Sequence, residues 1–219
     1  EEDAMVSITG ADFSGYINDK PAGLWKPLLI KKGERLSFKK YINGARAYLA
    51  IHGGMGLGTW LNSFSTHTKL KAGGYKGRPL LKDDAFSLNL RAPLIPVENF
   101  PGLTDLINPV YQSADMIRCI AGPEWDLVND ESKTNFPRLP FTVTAQSDRM
   151  GYRLYGTSLA LQNPVHLISS PVDAGTIQLL PNGQLLVLMA DHQTTGGPPR
   201  IANLLRAAQP KLPHSKILS

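Results

Sequence analysis

The densest group of polar side chains is Asp191-His192-Gln193-Thr194-Thr195-Gly196-Gly197. It follows Leu185 to Met189, a wholly apolar run that reads as a buried strand. Five side chains with donors or acceptors therefore leave a buried element together. Two glycines then let the backbone bend and approach a ligand closely. Pro198-Pro199 opens a predicted helix, in which Ile201, Leu204, Leu205 and Ala208 fall at i, i+3, i+4 and i+7, and which Pro210 ends. Backbone N–H groups at such a helix start can face an anion, so carboxylate or phosphate recognition is one reading. The other is a polar turn in which Asp191 and Thr194 cap local backbone groups.

A second cluster is Ser147-Asp148-Arg149-Met150-Gly151-Tyr152-Arg153. Two arginines spaced by four around a glycine can offer fixed forks to a carboxylate or phosphate. Asp148 can hold one of the guanidiniums, and an internal Asp–Arg bridge that only braces the loop is the alternative. The third cluster is Gly175-Thr176-Ile177-Gln178. In a half-buried strand Thr176 and Gln178 point one way, Ile177 and Leu179 the other. A glutamine on the inner face of a small barrel can bind an amide or ureido group through both its donor and its acceptor, or can be a satisfied interior residue.

The first half offers Ser63 to His67 and Gly73-Gly74-Tyr75-Lys76-Gly77-Arg78, loop material with hydroxyls, a glycine pair and a cation. Ser65 and Arg78 are the substrate-binding candidates there. The spacing of a phosphate-binding Gly-Lys-Ser/Thr loop is absent, and so is a G-x-S-x-G elbow. The five histidines are scattered without metal-ligand spacing, so no metal is expected. His166 reads as a packed histidine in an apolar strand. Cys119, the one cysteine, lies in the apolar run Met116 to Ile120 and reads as a buried thiol rather than a nucleophile.

The elements that position these residues are short. The chain holds 20 Gly and 17 Pro in 219 residues, with 42% hydrophobic and 19% charged residues. That excludes a disordered chain and favours a β-rich fold over a helical bundle. Strands are expected at 5–10, 28–30, 35–38, 45–51, 85–90, 115–121, 141–145, 165–168, 176–180 and 185–189. Hairpins are expected around Lys32-Gly33-Glu34, at Asn43-Gly44 and at Asn182-Gly183. Residues 91–113 read as a long connection, which places a boundary between halves 1–110 and 111–219. A faint echo of SITGAD in CIAGPE, and of the two Asn-Gly strands in each other, fits either two related β-units or chance. The net charge of +5 is mild and dispersed, so no nucleic acid is expected. No apolar run reaches the length of a membrane span and no secretory leader is seen, so no membrane and a cytoplasmic location are expected.

The strings SITGAD, NGARAYLAIHGG, Ser63 to Thr66, GGYKGRPL, SDRMGYRLYG, SSPVDAGTIQLLPNGQ and LMADHQTTGG occur here in that order. In this the chain resembles the family of 5-oxoprolinase C-subunits, the biotin-dependent carboxyltransferase type also called allophanate hydrolase subunit 2 or sporulation-kinase inhibitor antagonist. The resemblance runs from about residue 5 to 209. It implies a mainly β fold with few short helices, of cyclophilin-like β-barrel architecture in two β-rich halves. Family members carry some tens of residues before the SITGAD-like strand, so an N-terminal segment is expected to be missing here. They also continue past the end of this sequence into another strand. The family's Gly-Gly-Tyr-Pro is Gly196-Gly197-Pro198-Pro199 here, and Phe64 stands where the family has arginine.

The resemblance further implies a complex with homologues of the 5-oxoprolinase B-subunit and A-subunit that opens 5-oxo-L-proline to glutamate with ATP bound by the complex. Related carboxyltransferase components use carboxybiotin and urea, so biotin carried on another chain is the alternative. A third reading is a non-catalytic partner that regulates a kinase inhibitor resembling the B-subunit. All the substrates implied are small and amide-like. From residue chemistry, Arg149 and Arg153 would neutralise an anionic group and Gln178 would orient the amide. Asp191 or His192 would move the proton, and Gln193, Thr194, Thr195, Gly196 and Gly197 would complete the binding turn.

Overall fold

The computed structural model describes residues 2–89 and 116–215 and the backbone of 217–218. The chain divides into two compact units, Glu1–Asn43 with Ala47–Val110 and Gly44–Arg46 with Tyr111–Ser219. The predicted connection at 91–113 lies outside the described residues, as do Leu90 and residue 115 of two predicted strands.

In the first unit, β1 (Ala4–Asp12) is the central strand of a three-stranded antiparallel sheet between β4 (Pro27–Ile30) and β6 (Asn43–Ile51). Ile8 and Ala11 of β1 are fully buried. A second small sheet joins β2 (Gly15–Ile17) to β3 (Lys20–Pro21) and β5 (Leu36–Phe38). The predicted hairpin around Gly33 does not form, because β4 pairs with β1 while β5 pairs with β2. Asn43-Gly44 is not a hairpin turn either. Only Gly44 has positive φ, and the pair opens β6 itself. Residues 85–89 contribute one isolated bridge, Met55 to Leu88, rather than a strand.

The second unit holds a seven-stranded sheet. Its strands are β7 (Cys119–Ala121), β8 (Phe141–Thr144), β9 (Gly151–Gly156), β11 (Thr176–Leu179), β12 (Leu185–Leu188), β14 (Arg200–Leu204) and β15 (Ile217–Leu218). Their order is β15-β8-β9-β12-β11-β14-β7. Two different strands end that order, so among the described residues the sheet is mainly antiparallel and not a closed barrel. A two-stranded ribbon joins β10 (Ser170–Pro171) to β13 (Thr195–Gly196). One six-residue helix, α1 (Asp130–Asn135), is capped by Asn129, whose side chain accepts a 2.8 Å hydrogen bond from Ser132 N–H.

Alternation sorts the sheet into two faces. Tyr152, Val187, Ile177 and Ala202 lie opposite one another on adjacent strands and form the core with Leu179, Leu185 and Leu204. Arg153, Leu186 and Gln178 form the matching row on the other face. The Asn182-Gly183 hairpin does form. Gly183 takes φ +79°, and Leu180 N–H bonds to Gln184 O at 2.9 Å, a three-residue loop with glycine in the left-handed position.

The predicted helix after Pro199 is instead strand β14. Ile201, Ala202 and Leu204 are buried there between β11 and β7, and both neighbours hydrogen-bond to it. A short apolar run carries no period strong enough to outweigh two non-local ladders. The anion site expected at a helix start is therefore absent from this segment. Residues 165–168 form no strand, and His166 is exposed rather than packed.

Candidate functional site

The two polar corners of the second unit meet. Arg149 lies in the turn before β9, and Asp191 lies just past β12. β9 and β12 are paired neighbours, with Leu188 opposite Gly151. Arg149 Nε donates to Asp191 Oδ2 at 2.6 Å and Nη2 to Oδ1 at 2.9 Å, while Asp191 N–H bonds back to Arg149 O at 2.8 Å. The side chains stay open to solvent, at 76% and 50% exposure. Asp148 does local work, its Oδ1 accepting from Met150 N–H at 2.8 Å and Gly151 N–H at 3.3 Å. Arg153 points away from the Tyr152 core side, in a row with Leu186 and Gln178, so the two arginines do not share one fork.

His192 is half-buried, and its Nδ1 lies 2.5 Å from Gln193 O. A carbonyl only accepts, so Nδ1 is the donor here and Nε2 is the ring nitrogen left to other partners. Gln193 is half-buried, and Thr194 O accepts from Val172 N–H at 3.1 Å. Thr195 and Gly196 pair with Pro171 and Ser170 in the ribbon. Neither Gly196 nor Gly197 has positive φ, so neither is present to make the bend the sequence invited. Gly196 serves contact instead. A Cβ there would fall inside the shell of Gln178 Nε2, whereas one on Gly197 would meet only Ser169 Oγ at 3.6 Å and Leu167 O at 4.0 Å.

Gln178 is thereby sealed under the ribbon. It is 1% exposed and faces away from the apolar core, not into it. Its Nε2 reaches Pro198 O at a long 3.4 Å, and its Oε1 is buried with no hydrogen-bond partner. A buried amide oxygen without a donor is costly, and such an atom marks either a missing ligand or a strained polar position.

In the first unit the two predicted loops pack on each other. Gly73 and Gly74, both at positive φ, sit against the backbone of Ser65 and Thr66, and Thr66 Oγ1 accepts from Tyr75 N–H at 3.3 Å. Ser65 is exposed. Arg78 is held by Asp84 through two hydrogen bonds of 2.6 and 2.7 Å, which keep the carboxyl far below the usual aspartate range. Cys119 is half-buried against the core, and burial pushes its thiol up. Among the described residues no three His, Cys, Asp or Glu side chains converge as metal ligands, and no helix is long and apolar enough to cross a membrane.

The model of the carboxyltransferase domain, subdomain A and B, matches residues 1–217. The chain belongs to that family. It is 35% identical over 209 residues to the 5-oxoprolinase C-subunit of Escherichia coli and 32% identical over 211 residues to that of Haemophilus influenzae, each over 94% of this chain. It spans 64% of the length of those two relatives. The crystal structure of Kluyveromyces lactis urea carboxylase superimposes with a TM-score of 0.84 at 25% identity, covering 99% of this chain and 21% of that one.

One recess of this carboxyltransferase-family chain had no counterpart in the sequence reading. It opens on the outer face of β11 and β14, with a volume of about 570 Å³, between Pro171 to Asp173 on one side and Pro123 with Arg200 on the other, over Thr176 and Asn203. A bulge at Ile201 builds it. Ile177 opposes Ala202 but Gln178 opposes Arg200, one residue further on than simple alternation gives. Without the extra residue Arg200 would face the core. Glu124 holds Arg200 by hydrogen bonds to Nε at 2.9 Å and Nη2 at 2.5 Å. That pairing keeps the Glu124 carboxyl below the usual glutamate range. Glu124 and Arg200 lie 76 positions apart, so no local pattern announces them.

Proposed function

We propose that the chain works as the C-type component of an ATP-dependent 5-oxoprolinase, with A-subunit and B-subunit homologues, converting 5-oxo-L-proline to L-glutamate. The observation that carries this reading is the match to two 5-oxoprolinase C-subunits over 94% of the chain. The Arg149–Asp191 pair supports it, since it brings both predicted polar corners of the second unit to one place. In this reading Arg149 and Arg153 supply separate cationic contacts for the substrate carboxylate or a phosphorylated group, and Gln178 with the 193–197 turn forms the wall beside the amide. His192 Nε2 is the proton acceptor, with Asp191 holding Arg149 in place. Ser65 and Arg78 are auxiliary contacts. ATP is bound by the complex, not assigned to residues of this chain. The cyclophilin-like architecture and the division near residue 110 belong to the same proposal.

The test is reconstitution. ATP-dependent glutamate formation from 5-oxoproline is followed with the A- and B-subunit homologues, with and without this protein. Dependence on this protein and loss of turnover in Arg149→Ala support the reading. Turnover indifferent to its presence overturns it. The likeness to urea carboxylase favours a second reading, carboxyl transfer from carboxybiotin carried on another chain to a urea-like substrate. Biotin-dependent carboxylation of urea in the same reconstitution would select it.

A further inference from the structure

We propose that the recess over Thr176 and Asn203 is the seat of a neutral, N–H-bearing amide or ureido group. The proposal deepens the 5-oxoprolinase reading by giving its amide-like ligand a location, and rests on that reading only for the ligand's biological identity.

The charge around the recess argues against an anion. Glu124 matches Arg200, and Asp173 adds an exposed carboxylate with no side-chain partner among the described residues. The hydrogen-bonding groups left over are complementary to an amide. A guanidinium has five N–H donors; Glu124 takes two and Pro171 O takes one at 3.1 Å, so two of Arg200's can serve a carbonyl oxygen. Asp173 can accept the amide N–H. Thr176 Oγ1 already accepts from Asp173 N–H at 3.2 Å, which leaves its hydroxyl proton to donate. The Asn203 side chain has no hydrogen-bond partner among the described residues and can do either. A cation would leave the Arg200 donors unused.

Arg200 is held by Glu124 and Pro171 O, and Thr176 by its turn with Asp173. Arg200 and Glu124 side chains are only 21% and 15% exposed, and Thr176 is 3% exposed. A volume of about 570 Å³ lies within the usual range for small-ligand sites. The adjoining ribbon wall also covers Gln178, since Gly196 sits between Val172 and the Gln178 amide. The Gln178 amide thus lies across the ribbon from Val172 of the recess lining.

Titration of the nitrogen-15-labelled whole protein with γ-butyrolactam, followed by amide shifts, tests the site without partners or turnover. Saturable shifts at Val172, Asp173 and Asn203 are expected, with much smaller shifts from the N-methyl lactam, which lacks the N–H. Asp173→Ala should weaken lactam binding roughly tenfold, as for loss of a hydrogen bond to a charged group. Both hydrogen bonds joining Asp173 to Thr176 run through the Asp173 backbone, so the variant keeps its turn. Equal response to the two lactams, unchanged affinity in Asp173→Ala, or silence at 172–173 and 203 would overturn the proposal. An inactive reconstituted complex whose chain still binds the lactam here overturns the 5-oxoprolinase reading alone; an active complex with a silent recess overturns the recess alone.

Discussion

Arg149 and Asp191, 42 positions apart in the chain, hold each other through two side-chain hydrogen bonds of 2.6 and 2.9 Å. The pairing of β9 with β12 places their Cα atoms, and the fork-to-carboxylate geometry does the rest. Because both side chains are half or more exposed, solvent screens the pair. Arg149→Ala is therefore expected to lower stability by about 1 kcal/mol or less. In the reconstituted complex it should nevertheless abolish most turnover. Urea melts alongside the glutamate assay separate the two effects, and a large stability loss with proportional activity loss would reduce Arg149 to a brace.

Gly196 is a contact glycine. Its φ is ordinary, so alanine there meets no backbone strain, only the Gln178 amide. Gly196→Ala should destabilise the second unit by about 1–3 kcal/mol, the usual range for overpacking. Shortening the neighbour in Gly196→Ala/Gln178→Ala should recover part of that loss. A double-mutant cycle with no coupling would show that the two residues do not press on each other.

Gln178 should show opposite effects on stability and function. Its Oε1 is buried without a donor, and removing an unsatisfied polar group in favour of an apolar one of similar size is neutral or stabilising. Gln178→Met should hold or raise the urea midpoint while lowering turnover in the complex. A clear drop in stability would mean that the 3.4 Å contact to Pro198 O matters more than the orphaned oxygen.

The Glu124–Arg200 pair sets an acid dependence. The folded-state pKa of Glu124 is depressed, chiefly by the hydrogen bonds from the Arg200 side chain. A depressed carboxyl stabilises fully above its unfolded value of about 4.3 and loses that contribution as pH falls through the lower folded value. The difference in melting temperature between the parent protein and Glu124→Gln should be largest near neutral pH and shrink below about pH 4. A difference that does not change between pH 7 and pH 3 would remove the pair as a source of acid sensitivity.

Some of the molecule was legible before any fold was known. The alternation Phe141-Thr142-Val143, the apolar run Leu185 to Leu188 and the Asn182-Gly183 turn each carry their instruction locally, in side-chain period and backbone permissiveness, and each element forms. The capped start of α1 was equally local: Asn129 followed by Asp130 and Glu131 is a readable helix signal that the β-rich reading passed over. The candidate side chains at 149, 178, 191 and 196 could be named by type, but not grouped.

Grouping is what tertiary structure added, because it depends on which strands pair. Ile201, Leu204, Leu205 and Ala208 have helical spacing, yet β11 and β7 offer ladders on both sides of 200–204, and non-local hydrogen bonds with core burial outweigh a weak local period. The same ladders, with one extra residue at Ile201, turn Arg200 outward onto Glu124 and open the recess. A one-residue register change reverses every face it touches, and register is a property of two segments at once. No window of sequence contains both.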